Sequence, residues 1–256
     1  PLLRFAVSAT GGAHLCSIQY YLRFWLSSCR TSRAVSALGI YAVLPKFSSL
    51  APPRAVSTHP PLYTDLERKH LSMSLILASG SPRRRELMAL ITQDYTVITS
   101  DVDESEITAD TPAHLAQSLA TAKAEAVAAA HPADTVCGFD TVVECDGAVF
   151  GKPRDEADAL RMLRALSGRS HKVHTGVCVC RSGRKLACAE TTTVHFAPIE
   201  EADLLRYVRT PEPYDKAGGY AIQGHAALWC TGIEGCYYNI MGLPVYRTAA
   251  LLQRLG

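Results

Sequence analysis

The chain has no Cys-x-x-Cys pair among its nine cysteines. An odd count without a pairing pattern excludes a disulfide framework and points to reduced thiols in an intracellular protein; the spacing also leaves no zinc site. No apolar run reaches the roughly 18–20 residues that a membrane span needs. No internal repeat or low-complexity tract follows residue 72, so a solenoid is excluded. Acidic residues are nearly missing from residues 1–72, which hold eight Lys/Arg against only Asp65 and Glu67, whereas residues 73–256 hold eighteen against twenty-two. The formal charge of +2 therefore belongs to the leader. The remainder is mildly acidic and has no interleaved aromatic–basic face, which argues against nucleic acid as a partner.

Residues 1–72 are rich in Ser, Ala, Pro and Arg and carry no sustained period. The favoured expectation is upstream sequence translated from an early start, because Met73 directly precedes the first regular element. A basic, Ser-rich transit peptide is the second reading and a disordered tail the third. The folded domain is expected over residues 73–256, in the cytoplasm, or in an organelle if the leader is a transit peptide.

From Met73 the pattern is regular. Leu75 to Ala78 is one buried strand, and Ser81-Pro82 opens a helix running to about Leu90, with Ser81 as N-cap and Pro82 where its missing N–H costs nothing. Tyr95–Thr99 reads as a strand, then an acidic loop over residues 101–106, then an Ala-rich helix over residues 112–130. Thr135 to Cys145 is one β-rich run, turned by Asp146-Gly147 into a return strand at Ala148–Phe150. A helix from Asp155 to Leu166 ends before Gly168. Two strands, 173–180 and 185–196, flank a Ser182-Gly183 turn. A helix over residues 198–208, a Gly-rich loop from Lys216, a strand over 226–233 and a helix from Leu243 complete the chain. Strands alternating with helices, plus hairpins, predict α/β with a mixed β-sheet and flanking helices.

Several polar groups break this apolar pattern. Arg83, Arg84 and Arg85 crowd the first turn of a helix, where cations are unfavourable unless an anion arrives. Asp140 interrupts a run that should be buried, and a carboxylate there is costly without a cation or metal beside it. Lys152 sits between Gly151 and Pro153, on a rigid turn suited to a phosphate oxygen. Lys123 stands alone among alanines, which by itself more often marks a solvated face. Glu104 belongs to an acid cluster that could bind a divalent cation through oxygens. Gln223 follows a Gly-rich stretch and can donate and accept, as base-edge recognition requires.

Together these pieces resemble the Maf family of nucleotide pyrophosphatases. The motifs that carry the resemblance run in family order: Leu77-Ala-Ser-Gly-Ser-Pro-Arg-Arg84, Asp103-Glu104-Ser105, Lys123-Ala124, Asp140-Thr-Val-Val143, Gly151-Lys-Pro153, Leu166-Ser-Gly168, His171-Lys-Val-His-Thr-Gly176, Lys216-Ala-Gly218, Gln223-Gly224 and Tyr238-Asn239…Gly242-Leu-Pro244. The resemblance implies an elongated two-lobed fold around a central cleft (Maf/ITPase-like), commonly a homodimer, that hydrolyses a nucleoside triphosphate between its α and β phosphates with Mg²⁺ or Mn²⁺. It implies that Ser79, Ser81, Arg83 and Arg84 hold the triphosphate and that Lys123 and Lys152 neutralise charge developing in the reaction. Glu104 and Asp140 are implied as metal ligands or as the base that activates water, without a division of those roles. Thr141 with Gln223 is similar to the branch acting on dTTP and UTP, with modified pyrimidine nucleotides as further candidates; the branch acting on 7-methyl-GTP tends to carry Gln and Glu at these two positions. A second reading, a nucleotide-sensing regulator of cell division without turnover, has no need for both acids and both lysines.

Overall fold

Leu75–Ala78 forms strand β1, buried at every position, as an unbroken apolar run requires. In the computed structural model of the protein the described residues are 74–255, and the expectations for residues 1–72 lie outside them. After β1 the chain turns into helix α1 (Pro82–Met88) and a two-residue strand β2 (Thr96–Val97). Helix α2 (Pro112–Ala130) opens at Thr111, whose side chain accepts from the His114 N–H. Strand β3 (Thr135–Cys145) turns at Asp146-Gly147 into β4 (Ala148–Phe150). Both turn residues have positive φ, 50° and 79°, matching the hairpin signal.

Helix α3 (Glu156–Leu166) is capped by the Asp155 side chain, which accepts from the Asp158 N–H. Long strands β5 (Ser170–Arg181) and β6 (Arg184–Phe196) form a hairpin, followed by helix α4 (Glu201–Val208). Two 3₁₀ turns (Ala217–Gly219 and His225–Trp229), strand β7 (Cys230–Glu234), and helices α5 (Tyr237–Ile240) and α6 (Val245–Leu255) complete the described chain.

One mixed sheet takes in all seven strands, in the order β2-β1-β3-β5-β6-β7, with β4 also on β3. β1 runs parallel to β2 and β3; the other pairs are antiparallel. One apolar cluster gathers β1, α1 and α6 around Leu77, Met88, Phe139 and Leu251. The opposite sheet face buries Ile76, Val136 and Cys178 under the alanines of α2. A third cluster lies toward the β4 end, where α3 and α4 bring Leu163, Leu166 and Leu204 onto Val143 and Val173. The alternation of apolar residues along β3 thus serves different clusters on its two faces.

Five local expectations are corrected. Helix α1 stops at Met88, and the Ser81 side chain makes no capping bond; Ser81 N–H instead reaches Ser79 Oγ at 3.4 Å. The strand expected over 95–99 shrinks to two exposed residues at the sheet edge. The helix expected from Pro198 begins at Glu201. The strand expected from Ala226 begins at Cys230, because residues 225–229 wind into a 3₁₀ turn that leaves Leu228 exposed.

His171 is a buried polar member of the third cluster, 2% exposed, with Nε2 2.7 Å from the Tyr220 hydroxyl and edge contacts to Phe196 and Tyr220. Its Nδ1 has no partner among the described residues. Burial pushes its pKa down to about 4, and the nearby His195 works in the same direction. The folded protein therefore holds His171 neutral, while the unfolded chain takes up a proton near pH 6.5. The stability this contributes is whole above that pH and is lost as pH falls toward 4. His171→Gln should remove about 3 kcal/mol of the pH-dependent loss between pH 7 and pH 4, from a pKa gap at about 1.36 kcal/mol per unit; urea unfolding across that range measures it.

Candidate active site

The site begins with a gap in strand pairing. On the edge away from β5, residues Thr135–Gly138 of β3 pair with β1 and residues Val143–Cys145 pair with β4. Residues 139–142 have no strand partner on that edge among the described residues. Asp140 and Thr141 fall in this window, which is why a carboxylate can stand inside an otherwise buried strand. The opening is a cleft of about 500 Å³.

The two faces of β3 receive different cations. Gly138, Asp140 and Val142 face α2, which lies very close: a Cβ on Gly138 would be 2.4 Å from the Ala120 carbonyl oxygen. One on Gly176, the β5 partner of Asp140, would be 2.0 Å from that of Ala116. Only glycine beneath alanine permits this approach. It brings Lys123 down to the strand, with Nζ 2.6 Å from Asp140 Oδ1 and 2.8 Å from Glu104 Oε1. The lone lysine of an Ala-rich helix is thus a part-buried ion-pair centre and not a solvated side chain.

On the opposite face, Arg84 projects from α1 over the Phe139 ring, 5.9 Å from its centroid. Its Nε donates to the Gly242 carbonyl at 2.8 Å, Nη1 to Ser79 Oγ at 3.1 Å and Nη2 to Thr141 Oγ1 at 3.1 Å. Thr141 is braced in turn: its hydroxyl lies 3.0 Å from that of Thr175, which donates to the Asn239 carbonyl at 2.8 Å. All three acceptors on Arg84 are neutral, and it forms no ion pair among the described residues. Burial lowers its pKa from the ordinary value, while Asp140 acts to raise it; a guanidinium stays charged through such a shift. Arg84 is therefore a held cation without an ion-pair partner among the described residues.

Arg83 is already paired, donating to Asp215 Oδ2 at 2.7 Å. Asp215 also accepts from Lys216. Burial acts to raise the Asp215 carboxyl's pKa, but the bonds from Lys216 and Arg83 outweigh it and hold the group below its usual range. Lys152 and Gln223 line the cleft as exposed side chains. The cleft walls carry Arg83, Arg84, Lys123, Lys152 and Lys216 against Glu104, Asp140 and Asp215, a surplus of cations within an acidic domain. Such a cleft attracts a multiply charged anion. Val142, Val143, Val149 and Ile222 give it an apolar wall as well.

The residues also fit a divalent cation. Glu104 and Asp140 bring two hard oxygen donors to one point, now marked by Lys123 Nζ. No group of three or more His, Cys, Asp or Glu stands together among the described residues. Two carboxylates completed by ligand phosphates are the arrangement Mg²⁺ favours.

Nine of the ten residues singled out from sequence line this cleft: Ser81, Arg83, Arg84, Glu104, Lys123, Asp140, Thr141, Lys152 and Gln223. Ser79 stands behind them and is turned onto Arg84. Asp215 was missed; the bracing residues Thr175, Asn239 and Gly242 lie within motifs that carry the resemblance, but no role was read for them. The Asp215-Lys216-Ala-Gly-Gly run, an acid–base pair entering a flexible loop, was the available signal for the first.

The fold and site define a mixed α/β protein with a cationic cleft at an interruption in its central strand. The chain belongs to the Maf-like protein family, matched over residues 74–255. It is similar to the dTTP/UTP pyrophosphatase of Koribacter versatilis, with 47% identity over 74% of this chain and 98% of that protein. It is also similar to the dTTP/UTP pyrophosphatase of Symbiobacterium thermophilum, with 48% identity over 71% of this chain and 94% of that one. Among solved structures, the Staphylococcus aureus Ham1 protein is similar at 17% identity and a TM-score of 0.46, over 72% of this chain and 100% of that chain.

Arg84→Ala removes a part-buried cleft cation that has no ion-pair partner among the described residues. Loss of a charge-assisted contact worth about 2 kcal/mol should weaken binding of inorganic triphosphate about 30-fold. Isothermal titration calorimetry on wild type and variant measures this, and unchanged affinity removes Arg84 from the anion site.

Proposed function

We propose that this protein is a nucleoside triphosphate pyrophosphatase that hydrolyses the α–β phosphoanhydride of dTTP and UTP, and of modified pyrimidine nucleotides, to the monophosphate and pyrophosphate. The working domain in this reading is residues 73–256, acting in the cytoplasm as a homodimer. The observation that carries the proposal is the placing of a part-buried Arg84, held only by neutral acceptors, beside the Lys123–Asp140–Glu104 cluster in one cleft. Kinship to proteins named dTTP/UTP pyrophosphatase supports the substrate class.

The mechanism follows from charge. A triphosphate would lie with its phosphates toward Arg83, Arg84 and Lys152. Asp140 and Glu104 would hold Mg²⁺ or Mn²⁺, which when bound adds charge neutralisation at the phosphate oxygens and makes a bound water more acidic. Water adds to one phosphorus of the α–β bridge, the bridging P–O bond breaks, and the released proton passes to a carboxylate of the pair. Lys123 keeps both carboxylates in place and, with Lys152, offsets negative charge that builds up on the departing phosphate group. This is positioning and electrostatics, as phosphoryl chemistry in general requires. Ser79, Thr141 and the Gly242 carbonyl fix the Arg84 fork so that its remaining N–H groups face the cleft. Gln223, which can present both a donor and an acceptor to a uracil-type edge, reads the base.

Release of pyrophosphate from a panel of nucleotides with Mg²⁺ or Mn²⁺ tests the proposal. dTTP and UTP should be cleaved in preference to 7-methyl-GTP; the reverse order overturns the substrate assignment. Asp140→Asn should lower kcat by about 100-fold or more, the scale of lost acid–base or electrostatic help; near-normal turnover would remove Asp140 from the chemistry.

A further inference from the structure

Gln223 is exposed, yet the residues around it are tightly held. The side chain responsible, Glu212, lies outside the cleft. Its Oε1 accepts from the Tyr207 hydroxyl at 3.0 Å and from the His225 backbone N–H at 3.0 Å. Its Oε2 lies 2.8 Å from His225 Nδ1 and 3.3 Å from the same backbone N–H. The Tyr207 hydroxyl in turn accepts from the Ala221 N–H at 3.3 Å. Ala221 O accepts from the Gly224 N–H at 3.0 Å, which closes the turn. A Cβ on Gly224 would fall 2.1 Å from Glu212 Oε1, so the turn rests directly on the carboxylate.

Both flanks of Gln223 are thereby pinned, Ala221 through Tyr207 and Gly224-His225 through Glu212. Burial of Ile222, 7% exposed, anchors the remaining neighbour. The side-chain amide of Gln223 is left with no protein partner among the described residues, free to meet a ligand. Burial acts to raise the Glu212 pKa, but the bonds from His225 and Tyr207 outweigh it and hold the group ionised, as an acceptor for several donors must be. The same residue's carbonyl accepts from Lys216 Nζ at 2.6 Å, and Lys216 bonds Asp215, the partner of Arg83. A single residue outside the cleft therefore reaches both its base-reading amide and its phosphate-side cations.

We propose that Glu212 is the positioning residue for base selectivity: its carboxylate sets the Ala221–His225 turn so that the Gln223 amide meets the O4 and N3–H edge of a uracil-type base. The inference rests on the reading of this cleft as a pyrimidine triphosphate site. It differs from a merely structural role in what it moves. A loosened fold lowers activity on every base alike. A misplaced amide lowers discrimination, because a site built to pair with one edge loses its advantage only for that edge.

The test compares kcat/KM for UTP with that for CTP, which has the same size but an amino group in place of O4 and no hydrogen on N3. Full-length wild type, Glu212→Ala, Glu212→Gln and His225→Ala are measured together, with thermal melting as a control. Glu212→Ala should reduce the UTP/CTP ratio tenfold or more, mainly through KM for UTP. Glu212→Gln keeps an oxygen acceptor for Tyr207 and the His225 N–H and should stay within about threefold of wild type. His225→Ala, at an exposed position, removes one contact to the carboxylate and should give an intermediate ratio; it decides the matter if Glu212→Ala does not fold. Equal loss on UTP and CTP, or an unchanged ratio, overturns the inference while wild type still prefers UTP. A wild type without preference for UTP overturns the substrate reading, and the inference with it.

Discussion

The site depends on the close seating of helix α2 on the sheet. Ala116 and Ala120 lie on one helix face, and beneath them stand Gly176 and Gly138, where any side chain would strike the helix backbone. Dispersion between such small groups is weak for each pair and adds up over the length of a 19-residue helix. The result is a helix low enough for Lys123 to reach Asp140 from the side. With one larger residue on either surface, overpacking would lift the helix at a typical cost of about 1–3 kcal/mol and draw the ammonium away from its carboxylates. Packing at glycine and alanine is thus what sets the electrostatics of the cleft.

That electrostatics is graded. Lys123 is matched by two carboxylates and Arg83 by Asp215, while Arg84 has only neutral acceptors and Lys152 stands exposed. A polyanion entering the cleft meets the uncompensated cations at once and can compete for the compensated ones. The acids keep the ligand-free cleft from concentrating five like charges, whose mutual repulsion would otherwise act against the fold. Rigid placement of Arg84 by Ser79, Thr141 and Gly242 means that little side-chain freedom is lost when an anion binds.

Much of this fold was legible in the sequence because its signals are local. Ile76 and its neighbours mark β1, Asp146-Gly147 marks the hairpin, and Asp155 with its acidic first turn marks α3. The site residues were legible as exceptions: a carboxylate at Asp140 in an apolar run, and three arginines where a helix should begin. Their partners were not. Arg84 meets Gly242 across 158 positions and Arg83 meets Asp215 across 132, and nothing in a linear pattern measures such distances. Lys123 looked solvated because the glycines that let it descend belong to other elements. The 3₁₀ turn at residues 225–229 was misread as strand because its Ala-Ala-Leu-Trp run is as apolar as a strand, although only Ala226 is buried.

The split pairing of β3 carries a last consequence, for the frame in which the strand is read. Residues 135–138 are locked to β1 and residues 143–145 to β4, so the four between them are held in place from both ends. Side chains alternate faces, and a slip of one position would present Phe139 to Lys123 and Asp140 to Arg84. Such a slip would also destroy the chemistry of the cleft, since acid and phenyl ring would have traded sides. The Asp146-Gly147 turn and the apolar alternation of β3 therefore act as a reading-frame guard for the site, and a single-residue insertion in this hairpin is a more complete lesion than most substitutions within the cleft itself.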